Sequence, residues 1–467
     1  MKIVDVDVAI IGAGSAGMSA YRAALVHTKQ VLVIEDAHYG TTCARVGCMP
    51  SKLLIAAAEA AHSAQHAEAF GVQVESVKVD GVAVMKRVRE ERDRFVGFVE
   101  ETVMNWPGAH RLWGSACFID AHTLQVGEHT QVRAKQIVIA TGSSPRINAE
   151  WREAAGDRLI VNDDVFSWQT LPKSVAVLGA GVIALELAQA LHRLGVRVRL
   201  YGRSQRISSL TDPVLQELAL SIFQNECPVT MNASDLQLSR SGDEIVVTTG
   251  TQQERFQWVL AASGRTPNTQ KLALMNAGLR LDEHGVPSFN RYTGQIEDSH
   301  IFIAGDVNRD LEILHEATDE GKIAGDNAGR FPNIREHRRR TPLAIIFSDP
   351  QVMIAGTEHA ELIRQGVDFA VGAVSFSNQG RSRVMLKNKG ALHLYAERGS
   401  GRLLGAEMIG PSAEHLGHLL AWSIQRGDTV SQMLDYPFYH PVIEEGLRTA
   451  LQAVKRALTT VKTDTGL

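Results

Sequence analysis

Residues 6–17, VDVAIIGAGSAG, and residues 173–184, KSVAVLGAGVIA, decide the fold. In each, an apolar run ends at Gly-x-Gly and a helix-forming stretch follows. A nearly uninterrupted apolar strand is expected where a parallel sheet is covered on both faces. In the first unit Gly12 permits the tight turn, Gly14 lets the backbone approach a pyrophosphate, and Gly17 lets helix and strand pack closely. The helix N-terminus offers free N–H groups and a positive dipole end to phosphates. Residues 30–35, QVLVIE, form the next strand, and Glu35 stands where an acid binds ribose hydroxyls. The second unit begins 167 residues later with Gly179 and Gly181, and carries Ala184 in place of a third glycine. Its counterpart of Glu35 is Gly202, followed by Arg203 and Arg206. Arginine accommodates a 2′-phosphate where an acid favours a free 2′-hydroxyl, so this unit leans to NADPH over NADH. The alternative is that both arginines are solvated loop residues.

Two mononucleotide-binding units imply two doubly wound domains. Residues 136–145 (QIVIATGSSP) and 300–307 (HIFIAGDV) read as further strand-and-turn pieces of the first. Beyond Pro342 the pattern changes. Strands are expected over 352–354, 369–376, 391–396 and 403–409, then helices over 413–425 and 444–459. That order suggests a separate α+β domain.

The length of 467 residues suits about three domains. A net charge of −4, with 21% charged and 44% hydrophobic residues, argues against a nucleic-acid binder and against a disordered acidic chain. The one basic run, Arg335 to Arg340, reads as a solvated loop. No stretch of about 20 apolar residues is present, so no membrane span is expected. The N-terminal apolar run is broken by aspartates and ends in glycines, which reads as a buried strand and not a signal peptide. Four cysteines are too few for a secreted disulfide scaffold, and the pattern suits a cytoplasmic protein.

Cys43 and Cys48 lie five apart in CARVGCMPSK. In an ideal helix their Cα atoms would be about 8–9 Å apart, whereas a disulfide wants roughly 4.4–6.8 Å. A bridge therefore needs an irregular turn, which Gly47 eases. An accessible, strained bridge is redox-active more readily than structural. Two buried small side chains, or part of a metal site, are the alternatives. A metal is disfavoured by the spacing and by the lack of a second Cys/His cluster. Cys117 and Cys227 read as structural.

These segments together resemble the class I pyridine nucleotide–disulfide oxidoreductases, the flavoprotein family of dihydrolipoamide dehydrogenase, glutathione reductase and mercuric reductase. The resemblance runs through nearly the whole chain. It includes Gly12, Gly14, Gly17 and Glu35; Thr42-Cys43 through Lys52; Ala140-Thr141-Gly142; Gly179 to Glu186; Gly264-Arg265-Thr-Pro267-Asn268; Gly305-Asp306; and His440-Pro441 with Glu445. It implies an FAD-binding domain at 1–150 that resumes at 271–341. An NAD(P)-binding domain would occupy 151–270 and an α+β dimerisation domain 342–467.

The resemblance also implies roles. FAD would lie on the first glycine turn, with Asp306 at its ribityl–pyrophosphate region. Cys48 would be the sulfur next to the flavin, forming the charge-transfer thiolate, and Cys43 the interchange thiol. Lys52 and Glu186 would pair near the flavin. His440 and Glu445 would reach the Cys43 side from the other subunit of a homodimer. The chemistry suits these types, since a thiolate attacks a disulfide and a free thiol near pKa ~8.5 is mostly protonated at neutral pH. A histidine can move that proton, and a glutamate can orient the imidazole.

Three departures stand out. Gly40-Thr41-Thr42 replaces the usual paired glycines before the first cysteine, Ala44-Arg45 replaces a Leu-Asn or Val-Asn pair, and Val442 follows His440-Pro441 where threonine is common. The final residues, VKTDTGL, carry no cysteine pair, which weakens mercuric reductase. HEATDEGKIAG (315–325) looks like the lipoamide branch. The expected activity is therefore dihydrolipoamide dehydrogenase-like, on a small-molecule or lipoyl-protein dithiol. An NADPH-dependent glutathione-type reductase is the alternative, and a non-catalytic flavin-binding scaffold is the rival from another class.

Overall fold

The structure is a computed structural model that describes residues 1–459; the final VKTDTGL lies outside the described residues. The first expected strand is Lys2–Ile11 (β1), whose last four residues are buried, as an apolar strand covered on both faces should be. It pairs in parallel with Val31–Glu35 (β2) and with Thr130–Ile139. The sheet runs Arg111–Trp113, β2, β1, Thr130–Ile139, Thr123–Val126, Ala116–Phe118, and Ile301–Ile303 pairs in parallel with Thr130–Ile139. Thus residues near 300 return to the sheet begun by residue 2.

Helix Ser15–Ala24 (α1) follows the first glycine turn and packs on helix Leu314–Arg330. The helices approach closely because Gly321 and Gly325 face them. A Cβ on either would lie 2.1 Å from Ala16 O or 2.2 Å from Ala20 O.

The second sheet is wholly parallel, in the order Val229–Thr230, Arg197–Tyr201, Ser174–Leu178, Trp258–Ala261, Leu159–Ile160. Helix Val182–Arg193 follows its glycine turn. A short antiparallel pair, Ser143–Pro145 with Arg265–Pro267, joins the segments that run between the two sheets. A small antiparallel sheet, Gln237–Ser241, Glu244–Thr249, Gln252–Phe256, joins the second unit, and the third large sheet is antiparallel: Leu343–Ile346, Gln351–Gly356, Leu403–Gly410, Ala391–Glu397, Phe369–Ser375. Helices Ala413–Arg426 and Glu444–Thr459 cover it. Two doubly wound units and an α+β unit are therefore present, as the sequence pattern implied. Among the described residues, no helix is long and apolar enough to cross a membrane.

One expectation fails. The run Arg335 to Arg340 is not simply a solvated loop. The Arg339 side chain is 8% exposed, with its guanidinium 2.7 Å from Glu316 and 2.8 Å from Glu320. Burial pushes the Glu320 carboxyl up, and Arg339 opposes that shift. Glu320 in turn accepts from Gly305 N at 2.8 Å and from Asn308 Nδ2 at 2.6 Å. The arginine neutralises a carboxylate that braces the Gly305 turn, because a buried charge needs a partner.

Candidate active site

The two cysteines open consecutive helices, Thr42–Val46 (α2) and Cys48–Gln65 (α3), separated by Gly47 at φ −127° and ψ −114°. The irregular turn that a bridge requires is thus built into the chain. Thr41 takes φ +58°, a region where glycine is at ease and a β-branched residue is not. Its hydroxyl accepts from Ala44 N at 3.3 Å and so caps α2, a partial compensation for the missing glycine. Thr42 is exposed beside Cys43.

The two thiols interact and shift one another's titration in opposite directions. Cys43 pulls the Cys48 thiol down to about 7; burial opposes the shift and the Lys52 ammonium assists it. Cys48 also heads an 18-residue helix, whose N-terminal dipole favours a thiolate. Cys48 and burial push Cys43 well above the usual thiol range. The pair is therefore asymmetric, with Cys48 the acid and Cys43 the proton holder. Burial pushes the nearby Asp163 carboxyl up, and Arg265 and Arg45 oppose that shift.

Lys52 lies one helical turn beyond Cys48. Its Nζ is 2.9 and 2.8 Å from the two oxygens of Glu186, which is 4% exposed. Phe347 N donates to Glu186 Oε1 at 2.9 Å, and the Phe347 ring centroid lies 4.5 Å from Lys52 Nζ. The expected ion pair forms, with a third residue that the sequence reading missed. Phe347 contributes a backbone N–H, which no residue pattern announces.

The two glycine turns are near copies. A Cβ on Gly12 would sit 2.3 Å from Ala140 O, and one on Gly179 would sit 2.2 Å from Ala262 O. Gly14 and Gly181 cap the following helices with no side-chain bond, and a Cβ on either would meet nothing within 4 Å. Each turn therefore presents open space before free helix N–H groups, the shape a pyrophosphate needs. A Cβ on Gly17 would sit 1.8 Å from Gly12 O, so glycine is required there, whereas Ala184 is accommodated fully buried in the second turn. Glu35 ties the first turn together, accepting from Ala13 N at 2.7 Å and Ala37 N at 2.9 Å. Arg203 and Arg206 are both exposed after strand Arg197–Tyr201.

Remote motifs converge beside the first turn. Thr141 Oγ1 donates to Asn268 O at 2.8 Å, and Asn268 N donates to Gly142 O at 2.9 Å. Arg265 Nε donates to Ser143 Oγ at 2.7 Å, and Ser143 Oγ donates to Asp306 Oδ2 at 3.1 Å. Gly142, Gly264 and Gly305 all take positive φ. Ser143 and Asn268 are the links that join these motifs into one wall.

His440 stands on an exposed loop before helix Glu444–Thr459, with Nδ1 2.9 and 3.1 Å from the Glu445 oxygens. That bond holds the Glu445 carboxyl below the usual range. Among the described residues no hydrogen bond joins His440 to Cys43 or Cys48. The imidazole is 80% exposed, and its Nε2 points to no partner within the described residues. Cys117 is half-buried in a strand, and burial pushes the Cys227 thiol up to about 11.

Comparison with known proteins places this geometry. The family model for pyridine nucleotide-disulphide oxidoreductase matches residues 6–321, and its dimerisation-domain model matches 343–451. A mercuric reductase of Streptomyces lividans is 31% identical over 98% of this chain and 96% of its own length. A dihydrolipoyl dehydrogenase of Geobacillus stearothermophilus is 27% identical over 98% and 97%. Among solved structures, the HOCl-induced flavoprotein disulfide reductase RclA from Escherichia coli has a TM-score of 0.81 at 23% identity, covering 96% of this chain and 100% of that one. LpdA from Mycobacterium tuberculosis has a TM-score of 0.82 at 22% identity, covering 96% and 99%. The last two likenesses establish the fold alone.

Proposed function

We propose, from the premise that this chain belongs to the pyridine nucleotide-disulphide oxidoreductase family, that it moves two electrons between a nicotinamide and a dithiol/disulfide substrate of the dihydrolipoamide type, through Cys43 and Cys48. The family is FAD-dependent and uses NAD(P)H. The residues present fit both groups: the open cradles at Gly14 and Gly181 before free helix N–H groups suit two dinucleotides. Gly12, Gly14, Gly17, Glu35, Thr42, Lys52, Thr141, Gly142, Gly305 and Asp306 would hold FAD. Gly179, Gly181, Arg203 and Arg206 would hold the nicotinamide cofactor, and Gly264 and Arg265, the latter joined to Ser143 beside the first turn, would complete the cofactor wall. When bound, the flavin and nicotinamide rings supply the two-electron chemistry.

The observation that carries the reading is the cysteine pair set on either side of the Gly47 break between α2 and α3, with Lys52 one turn beyond Cys48 and fixed by Glu186. Toward a disulfide, Cys43 gives its proton to the partner subunit's His440 and attacks one substrate sulfur. A mixed disulfide forms as the substrate S–S bond breaks, and the imidazolium protonates the leaving thiolate. The Cys48 thiolate then attacks Cys43. That step forms the Cys43–Cys48 disulfide and releases the second substrate thiolate, which takes a proton from solvent. The substrate gains two electrons and two protons; a dithiol substrate reverses each step. Leu419 and Trp422, 39% and 62% exposed on helix Ala413–Arg426, support a second copy as the source of His440.

The exposure of Arg203 and Arg206 favours a second reading, an NADPH-dependent reductase of small disulfides. Steady-state assays of dihydrolipoamide, lipoamide, oxidised glutathione and Hg(II), each with both nicotinamides, separate the possibilities. Turnover of dihydrolipoamide with NAD⁺ and of lipoamide in reverse is expected. Turnover of only oxidised glutathione or only Hg(II) overturns the lipoamide reading. In the second reading, Arg203→Glu raises KM for NADPH far more than KM for NADH.

A further inference from the structure

We propose that Gln189 is a positioning residue for the Cys48 thiolate, acting through the Asp349 backbone, Phe347 and the Glu186–Lys52 pair. The proposal rests on the reading that Lys52 supports Cys48 as a working thiolate.

Gln189 lies three residues beyond Glu186 on helix Val182–Arg193 and is 5% exposed. Residues three apart share a helix face, so both side chains meet the same neighbour. That neighbour is the segment after strand Leu343–Ile346. The Gln189 amide reads the Asp349 backbone as a paired strand would. Its Oε1 accepts from Asp349 N at 2.8 Å, and its Nε2 donates to Asp349 O at 2.8 Å. Nε2 also donates to Glu226 Oε2 at 2.7 Å. Arg193, one turn on, closes the clamp. It lies 2.6 Å from Glu226 and 3.1 Å from the Asp349 carboxylate.

Two residues upstream of the clamped backbone, Phe347 meets the ion pair. Its N–H fixes one Glu186 oxygen at 2.9 Å, and its ring flanks the Lys52 ammonium at 4.5 Å. Lysine has a long flexible stem, so its ammonium stays put only where partners define the position. Here the partners are a carboxylate and a ring, and both depend on where residues 347–349 sit. Only an amide can give and accept at once in this geometry. Methionine, of similar length, does neither. The clamp also crosses three units of the fold, because Lys52 comes from α3, Gln189 from the second sheet's helix, and Phe347 from the edge of the third sheet.

The groups bearing on Cys48 are Cys43 on α2, Lys52 on its own helix, and Glu186 on the facing helix. Loss of the clamp frees Lys52 toward solvent, and the thiolate loses support. The test uses flavin-loaded protein, reduced and freed of reductant. The rate of Cys48 alkylation by iodoacetamide is followed against pH, with the site located by mass spectrometry. In Gln189→Met the midpoint is expected to rise by about half a pH unit or more, and flavin content is retained. Gln189→Asn, a milder change that keeps an amide, is expected to rise less, and it decides the matter if Gln189→Met does not fold. Lys52→Met serves as the reference. If it leaves the midpoint unchanged, the underlying reading of Lys52 fails. If it raises the midpoint while folded Gln189 variants show an unchanged or lowered one, the clamp proposal alone is overturned. A fall in Tm without a raised midpoint has the same meaning, since ordinary packing accounts for it.

Discussion

Cys48 and Cys43 differ because of what each touches. Cys48 sits at a helix N-terminus with Lys52 one turn away and its thiol is pulled down, whereas Cys43 beside it is pushed up. Cys43 therefore needs an external base, and His440 is suited to the task. Its Nδ1 is engaged by Glu445, which leaves Nε2 to exchange a proton. His440→Ala is expected to lower kcat by roughly 10²–10⁴, with bound flavin unchanged by its absorbance; an unaltered kcat contradicts the assignment. Glu445→Gln keeps the hydrogen-bonding shape but removes the charge that favours the imidazolium, so its kcat is expected to fall less. The cysteine pair stands out in the sequence by its spacing, whereas Lys52, Glu186, His440 and Glu445 are named only through the family resemblance, because a lone lysine or histidine carries no local signal. Phe347 was not legible, since a backbone N–H carries no residue signature. Arg339 misled for a related reason: its carboxylate partners Glu316 and Glu320 stand about twenty residues upstream, in a helix read only as a branch signature.

Helix α1 and helix Leu314–Arg330 show how small residues place the first glycine turn. The stretch HEATDEGKIAG was legible as a motif, and its glycines now have a packing cause, the near contact with Ala16 O and Ala20 O. Gly321→Ala pushes a methyl toward a backbone carbonyl that cannot swing aside. It is expected to destabilise by roughly 1–3 kcal/mol and to loosen flavin. Thermal unfolding with flavin release as the readout checks this, and an unchanged Tm with full flavin retention would refute it. The pair α3 and Gly81–Met104 (α4) was not anticipated. Asp80 caps α4, accepting from Val82 N and Ala83 N, and Met85, Val88 and Val103 are buried, yet its charged outer face hides that narrow apolar stripe. The glycine turns drew the reading because their signal is local, while α4 is held by contacts distant in sequence.

The two glycine-turn sheets and the C-terminal antiparallel sheet meet where Lys52, Glu186 and Phe347 touch. The repeated unit made the parallel strands of both glycine-turn sheets legible, because an internal copy is strong evidence for an internal fold. The mutual placement of the three units was not legible. It rests on contacts such as Asn162 Nδ2 to Val46 O at 2.9 Å and His393 Nδ1 to Asp212 Oδ2 at 2.7 Å, which join residues more than 100 positions apart. The proposed active site follows the same logic: a thiol pair from the first unit, a carboxylate from the second, and, in the proposed dimer, a histidine from the third unit of a second copy. Whether the sulfur pair carries the electrons is read by thiol labelling. Under anaerobic conditions the oxidised protein is treated with one equivalent of reduced nicotinamide, alkylated, and mapped by mass spectrometry. Cys43 and Cys48 are expected to be protected before the addition and both labelled after it, with Cys117 and Cys227 unchanged. Consumption of the nicotinamide with no new label on either cysteine would contradict the relay.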